Sequence, residues 1–178
     1  MKYALLTALA AFCLPSTSAW SQTTWYVDAS VPGPGTGTQA DPYASLRTAV
    51  EAPLTVTGDT VLVAAGRYIE TVNLGGKDLQ IDGSGAASPP ILDAAGAGSG
   101  LVFESGETAN CVVRGLVVTA GVGTDRSGRF YGGGVLIDGA SPVLVGMTFE
   151  ANSASSGAGA AVLAGATTFD LCEFLGKK

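Results

Sequence analysis

Between Tyr131 and Phe174 the sequence repeats itself at an interval of 25 residues, and this repeat restricts the fold more than any other feature. Gly132-Gly133-Gly134-Val135-Leu136-Ile137 leads into Leu144-Val145-Gly146-Met147-Thr148-Phe149-Glu150-Ala151-Asn152. Gly157-Ala158-Gly159-Ala160-Ala161-Val162 leads into Phe169-Asp170-Leu171-Cys172-Glu173-Phe174. Leu144, Met147 and Phe149 thus fall opposite Phe169, Cys172 and Phe174, and an earlier copy, Val113-Arg114-Gly115-Leu116-Val117-Val118, lies 31 residues upstream. Short β-rich runs of this kind cannot bury an apolar face alone. Stacked neighbours bury it for them, so the repeat predicts a solenoid.

Within each copy the apolar residues stand at positions one, four and six, as in Leu144, Met147 and Phe149. That spacing fits a strand that bends at Gly115 or Gly146 and keeps the same side chains inward. Stacking the copies puts Leu116, Met147 and Cys172 in one interior column and Val118, Phe149 and Phe174 in another. Two-residue Asn-Gly or Asp-Gly connections, which favour hairpins, are scarce apart from Asp82-Gly83 and Asp138-Gly139, so the strands are expected to pair in parallel. Asn152, just past a strand, suits a turn where its amide bonds backbone or a neighbouring coil. Cys111 and Cys172 both fall at interior positions. Two coils apart in a stack, at about 10 Å, they are too distant for a disulfide.

Upstream of the repeat, Trp25-Tyr26-Val27-Asp28 reads as a short strand and Val31 to Gly37 as a loop rich in glycine and proline. Asp41-Pro42 is expected to open a helix that carries Tyr43, Leu46, Ala49 and Val50 on one face and ends at Pro53. A single amphipathic helix before a run of strands has an evident use, which is to cover the open end of the core. Thr60 to Ala64 reads as a fully buried strand, Tyr68 to Leu74 as the next, and Leu79 and Ile81 as inward residues of a third.

The ends and the charge bound the function classes. Lys2, the apolar run Tyr3 to Leu14 and Ala19-Trp20-Ser21 form an export signal with cleavage expected after Ser21, and the run is too short to span a membrane. This gives a signal peptide at 1–21, an N-terminal strand, loop and capping helix at 22–57, and stacked coils from 58 to 178. No closing element precedes Lys178, so further coils of the same chain are expected after it. The chain has 9 basic and 15 acidic residues, and loss of Lys2 takes the net charge from −6 to −7. No basic run is present, so nucleic acid is not an expected partner. With no histidine, the commonest general base is missing, and so is the usual activator of a cysteine nucleophile.

Gly58-Asp59-Thr60-Val61-Leu62-Val63-Ala64-Ala65-Gly66-Arg67-Tyr68-Ile69-Glu70, after a capping helix, resembles the opening of secreted right-handed parallel β-helix proteins of the pectin-lyase-like superfamily. Phe149-Glu150-Ala151-Asn152 with Gly133-Gly134-Val135-Leu136 is similar to the repeats of polymorphic outer-membrane proteins in that superfamily. The resemblance runs from Trp25 to the end. It implies an all-β, right-handed parallel β-helix solenoid at the cell surface or outside the cell, whose partner is an extracellular polysaccharide or cell-surface glycan. It leaves the activity open, because the superfamily holds lyases, hydrolases, adhesins and proteins with no assigned reaction.

Catalysis on such a scaffold needs outward carboxylates on neighbouring coils, or carboxylate-bound calcium with a basic group. The expected outward columns are Gln80, Arg114, Val145, Asp170 and Asp82, Val117, Thr148, Glu173, and neither places two acids on adjacent coils. Asp170 and Glu173 remain as candidates to join groups from a following coil. The insertion between Thr119 and Gly132 is the other candidate, since Asp125, Arg126, Arg129, Phe130 and Tyr131 combine charge with aromatic surface. Two readings follow. One is a non-catalytic module for adhesion or polysaccharide binding, with no cofactor. The other is a carbohydrate-active lyase or hydrolase whose catalytic coils lie mostly beyond residue 178, with calcium as cofactor in the lyase case.

Overall fold

The computed structural model describes residues 22–176, so the export signal and its cleavage point lie outside the described residues. Strand β1 (Thr24–Val27) and helix α1 (Leu46–Glu51) come first. The chain then makes repeated circuits of three strands each. The first two circuits are β2 (Thr60–Val63), β3 (Arg67–Ile69), β4 (Val72–Asn73) and β5 (Gln80–Asp82), β6 (Ile91–Asp93), β7 (Leu101–Phe103). The third is β8 (Val112–Arg114), β9 (Val117–Thr119) and, after an inserted hairpin β10 (Thr124–Arg126) and β11 (Arg129–Tyr131), β12 (Val135–Asp138). The fourth is β13 (Val143–Val145), β14 (Thr148–Glu150), β15 (Ala160–Ala164), and β16 (Thr168–Asp170) and β17 (Glu173–Leu175) begin another.

Like strands of successive circuits pair. Sheet one runs β1-β2-β5-β8-β13-β16, sheet two β3-β6-β9-β14-β17 and sheet three β4-β7-β12-β15. Every pairing in these three sheets is parallel, and the hairpin is antiparallel. The described chain is therefore predominantly strand in parallel sheets, with little helix.

The alternation of side chains turns this register into interior columns. Val61, Ile81, Val113 and Leu144 align along sheet one, and Tyr68, Leu92, Val118 and Phe149 along sheet two, all buried. Leu116 and Met147 form a second buried column just before sheet two, and Cys172 extends it while half-buried. A large apolar side chain removed from water in this way contributes about 1.5–3 kcal/mol. Both cysteines are free thiols, and burial pushes the Cys111 thiol up to about 12.

The corner between sheets one and two takes two residues in the later circuits. Gly115 (φ 65°) and Gly146 (φ 57°) make it in the left-handed region, where a side chain is strained. Leu171 (φ 52°) occupies the same corner on the last circuit without that freedom. Asn152 ties two circuits together: its Oδ1 accepts from the Gly121 amide at 2.8 Å and its Nδ2 donates to the Val118 carbonyl at 2.8 Å.

Three expectations need correcting. The helix does not open at Asp41. Tyr43 is drawn into an extended bridge with Val27, its amide donating to Tyr26 and its carbonyl accepting from Asp28, so the helix waits for Ser45, whose Oγ accepts from the Thr48 amide. Thr60 to Ala64 is not buried throughout, since Leu62 is 37% exposed on the open outer face of sheet one. Tyr68 to Leu74 is two strands, because the chain turns at Glu70-Thr71 from sheet two into sheet three.

The helix packs on β1, β2 and β4 with Leu46, Ala49 and Val50 inward. Glu70 accepts from the Ser45 hydroxyl and the Leu46 amide, and Arg47 donates to Thr71, so α1 is pinned at the corner joining β3 to β4. Those two strands are the end strands of their sheets, and the helix packs over that end through β4. Beside it Asp59, 1% exposed, accepts from the Thr23 amide (2.9 Å), the Trp25 indole (2.9 Å) and the Val56 amide (3.0 Å). Burial alone would raise its pKa. The three donors and the charge of Lys77 outweigh it and hold the carboxyl below its usual value.

Candidate functional site

The insertion between sheets two and three folds as a hairpin. Ser127 (φ 57°) and Gly128 (φ 83°) are both left-handed, as a two-residue turn matched to strand twist requires, and Asp125 Oδ1 closes it by accepting from the Gly128 amide at 2.7 Å. The pairs are Thr124 with Tyr131, Asp125 with Phe130 and Arg126 with Arg129. Outward charge on this hairpin is largely committed already. Arg126 donates to Glu104 and lies 3.8 Å from Asp138, so its guanidinium meets two carboxylates of the stack. Arg129 donates to Ser156 Oγ at 2.7 Å and stands 5.5 Å over the Tyr131 ring. Phe130 is left open to solvent, 44% exposed, on the face of β11 opposite the one that Arg129 shares with Tyr131.

Asp170 and Glu173 are exposed at a different corner, on either side of Leu171-Cys172 between sheets one and two. The seven expected residues are thus divided between two corners and do not form one site. The outward columns also need correcting. Arg114 sits between Asp82 and Val145, followed by Asp170, and Gln80 pairs instead with Val112. Glu173 follows Thr148, Val117, Ile91 and Arg67. The slip had a visible marker: Gly83 follows Asp82 as Gly115 follows Arg114 and Gly146 follows Val145. Neither corrected column sets two acids on adjacent circuits.

A second candidate, absent from the sequence reading, lies on the outer face of sheet one. The loop after β1 and the loop after β5 rise on either side of a groove of about 580 Å³. Tyr26 and Leu62 form its apolar part, Asp28 and Asp82 its charged part, and Gln39 and Pro42 a wall. The aspartates are built alike, each closing an Asp-x-Ser turn. Asp28 Oδ1 accepts from the Ser30 amide (2.8 Å) and hydroxyl (2.7 Å), and Asp82 Oδ1 from those of Ser84 (2.8 and 2.6 Å). The hydroxyl of Ser30, then its amide, hold the Asp28 carboxyl below its ordinary value. Among the described residues no other donor reaches either carboxylate, and no basic side chain lines the groove. The signal that finds this site is the repeated Asp28-Ala29-Ser30 and Asp82-Gly83-Ser84, at the ends of β1 and β5.

Among the described residues no three acidic or cysteine side chains converge as a bound cation would require, and no helix is long and apolar enough to cross a membrane. Comparison of the chain with protein-family models, curated proteins and solved structures finds no match.

Proposed function

We propose that this chain is a right-handed parallel β-helix of the pectin-lyase-like kind, exported to the cell surface or beyond, and that it serves as a module for polysaccharide binding or adhesion. The rotation of the chain through three parallel sheets in steady register supports the solenoid. The observation that carries the binding role is the exposed edge strand of the hairpin, which presents Phe130 on one face and Arg129 over Tyr131 on the other, while the hairpin's remaining cation, Arg126, is paired with Glu104 and Asp138. Aromatic faces stack on sugar rings and a guanidinium donates to their hydroxyls. One such strand binds weakly, and successive sites along a stack reinforce one another on a polymer.

The enzyme reading meets a distance. Carboxylates that hydrolyse a glycosidic bond stand about 5–9.5 Å apart. Of the acids that share the groove, Asp28 follows β1 and Asp82 ends β5, with one strand between them, and Asp28 lies two residues beyond the register partner of Asp82. On the strand lattice that diagonal sets the two backbone positions about 12 Å apart. The spacing favours holding a glycan over cleaving it.

Retention on an immobilised polysaccharide array tests this. The Arg129→Ala, Phe130→Ala, Tyr131→Ala variant is expected to lose retention with little change in melting temperature. Unchanged retention would remove the hairpin, and new reducing or unsaturated ends released from any polysaccharide would replace the binding role with a catalytic one.

A further inference from the structure

The groove across sheet one is separate from the hairpin, which springs from the corner between sheets two and three. Its volume, about 580 Å³, lies within the range of pockets that take small ligands. It opens outward, its base is strand rather than loop, and its apolar part is presented by two register partners, Tyr26 and Leu62. Leu62 is 37% exposed there, on a strand whose inward neighbours Val61 and Val63 are buried. A large aliphatic side chain left open beside a tyrosine forms a flat apolar patch about two strands wide. The next residue in the same column is Asp82.

We propose that this groove binds a short segment of a non-acidic glycan, neutral or amino-substituted, laid across β1, β2 and β5. The proposal rests on the glycan-binding reading above and gives it a second, chemically distinct site. Tyr26 and Leu62 receive the C–H face of a pyranose ring. Asp28 and Asp82 accept from ring hydroxyls through the carboxylate oxygen that the Asp-x-Ser turn leaves free. Their separation of about 12 Å on the strand lattice lets them grip different sugar units of one chain. The turns matter energetically, because each carboxylate is oriented before the ligand arrives and little rotamer freedom is lost on binding.

Selectivity follows from charge. The groove is lined by two carboxylates and by no basic side chain, and Arg114, the register neighbour of Asp82 on the next strand, stands outside it and donates to Gln80, so a uronic-acid polymer would bring like charge onto both carboxylates. A neutral glycan meets acceptors suited to its hydroxyls, and an amino sugar adds an ion pair at the same oxygens. The hairpin strand, with Arg129 exposed, has the opposite preference.

The test is a methyl-detected NMR titration of the exported protein with four probes: cellotetraose, maltotetraose, a glucosamine tetramer and tri-galacturonate. Shifts at the Leu62, Ala86 and Ala87 methyls, which line the groove, are expected with at least one of the first three and not with tri-galacturonate. Asp82→Asn preserves the Asp-x-Ser turn and removes one charged acceptor, so affinity is expected to fall about tenfold. Leu62→Ala, at an exposed position, is expected to weaken binding without unfolding. If the glucosamine tetramer alone binds, and only at low salt, the ligand is amino-substituted. If a neutral probe binds independently of salt, hydroxyl recognition is the basis. Absence of shifts at these methyls with all probes overturns the proposal, as does a preference for tri-galacturonate or affinity unchanged in both variants. Retention lost through the hairpin variant but untouched by Asp82→Asn and Leu62→Ala would overturn the groove while leaving the wider binding role standing.

Discussion

Phe149 and Phe174 are register partners, stacked with ring centroids 5.0 Å apart, yet Phe149 is 1% exposed and Phe174 48%. The two lie in copies of the same repeat and carry the same inward message. What differs is the neighbour on the far side: Val118 covers Phe149, whereas Phe174 meets Phe149, the edge of Phe169 and Gly159 among the described residues. At the opposite end, helix α1 and the bonds to Glu70 close the edge. Inward pattern is therefore a property of each circuit, and burial is a property of the pair. The energy of the repeat sits between its copies.

The largest effect should come from breaking the middle of that column. Phe149→Ala is expected to cost about 3–5 kcal/mol by cavity formation, Phe174→Ala clearly less because its ring is half in water, and Thr148→Ala, on the outer face, about 0.5 kcal/mol or below. Denaturant melts of the three variants check the order. Equal losses at Phe149 and Phe174 would mean that the last circuit is covered in solution.

Next comes the closed end. Asp59→Asn turns an amide donor toward the Thr23 amide in one orientation, or toward both the Trp25 indole and the Val56 amide in the other, and is expected to cost about 2–3 kcal/mol at neutral pH. The folded carboxyl titrates below its unfolded value, so its contribution is complete above an unfolded pKa of about 3.9. It is lost as pH falls through the depressed folded value. Urea melts at pH 7 and pH 3 should show the difference between wild type and variant narrowing on acidification. A constant difference would place the cost in shape and not in charge.

The smallest effect runs the other way. Leu171 holds φ 52° where Gly115 and Gly146 hold 65° and 57°, and it is 81% exposed, so glycine there gives up almost no burial. Leu171→Gly is expected to stabilise by about 0.5–1 kcal/mol, the left-handed strain relieved less the added chain entropy. A lower melting temperature would show that the leucine is buried against something in solution.

The sequence made the stack legible because its cause is local: a glycine that bends the strand and an inward residue on either side of it. Leu116 with Met147 and Val118 with Phe149 follow from this directly, and Asn152 bonds both backbone and the neighbouring circuit. The helix start was misread because Asp41-Pro42 carries a valid cap signal, overridden by the bridge of Tyr43 to Val27. The binding surfaces were less legible for a different reason. Arg126 reads as a free cation until Glu104 and Asp138, from other segments, are beside it. The groove needs loops more than forty residues apart to face each other over sheet one, and no local pattern announces that. Asp28-Ala29-Ser30 and Asp82-Gly83-Ser84 carry the only trace.

The hairpin's attachment bears on how such a chain can vary in length. It joins the stack through backbone bonds at its base, the Gly132 amide to Ser156 and the Ser156 amide to Phe130, while at its tip the Gly128 amide bonds within the hairpin, to Asp125. Residues added at the tip leave every register partner in place. Residues added at Gly146-Met147 would rotate Phe149 out of its column and, with it, each circuit that follows. One corner thus accepts new sequence and the other refuses it, so a grafted peptide belongs between Ser127 and Gly128.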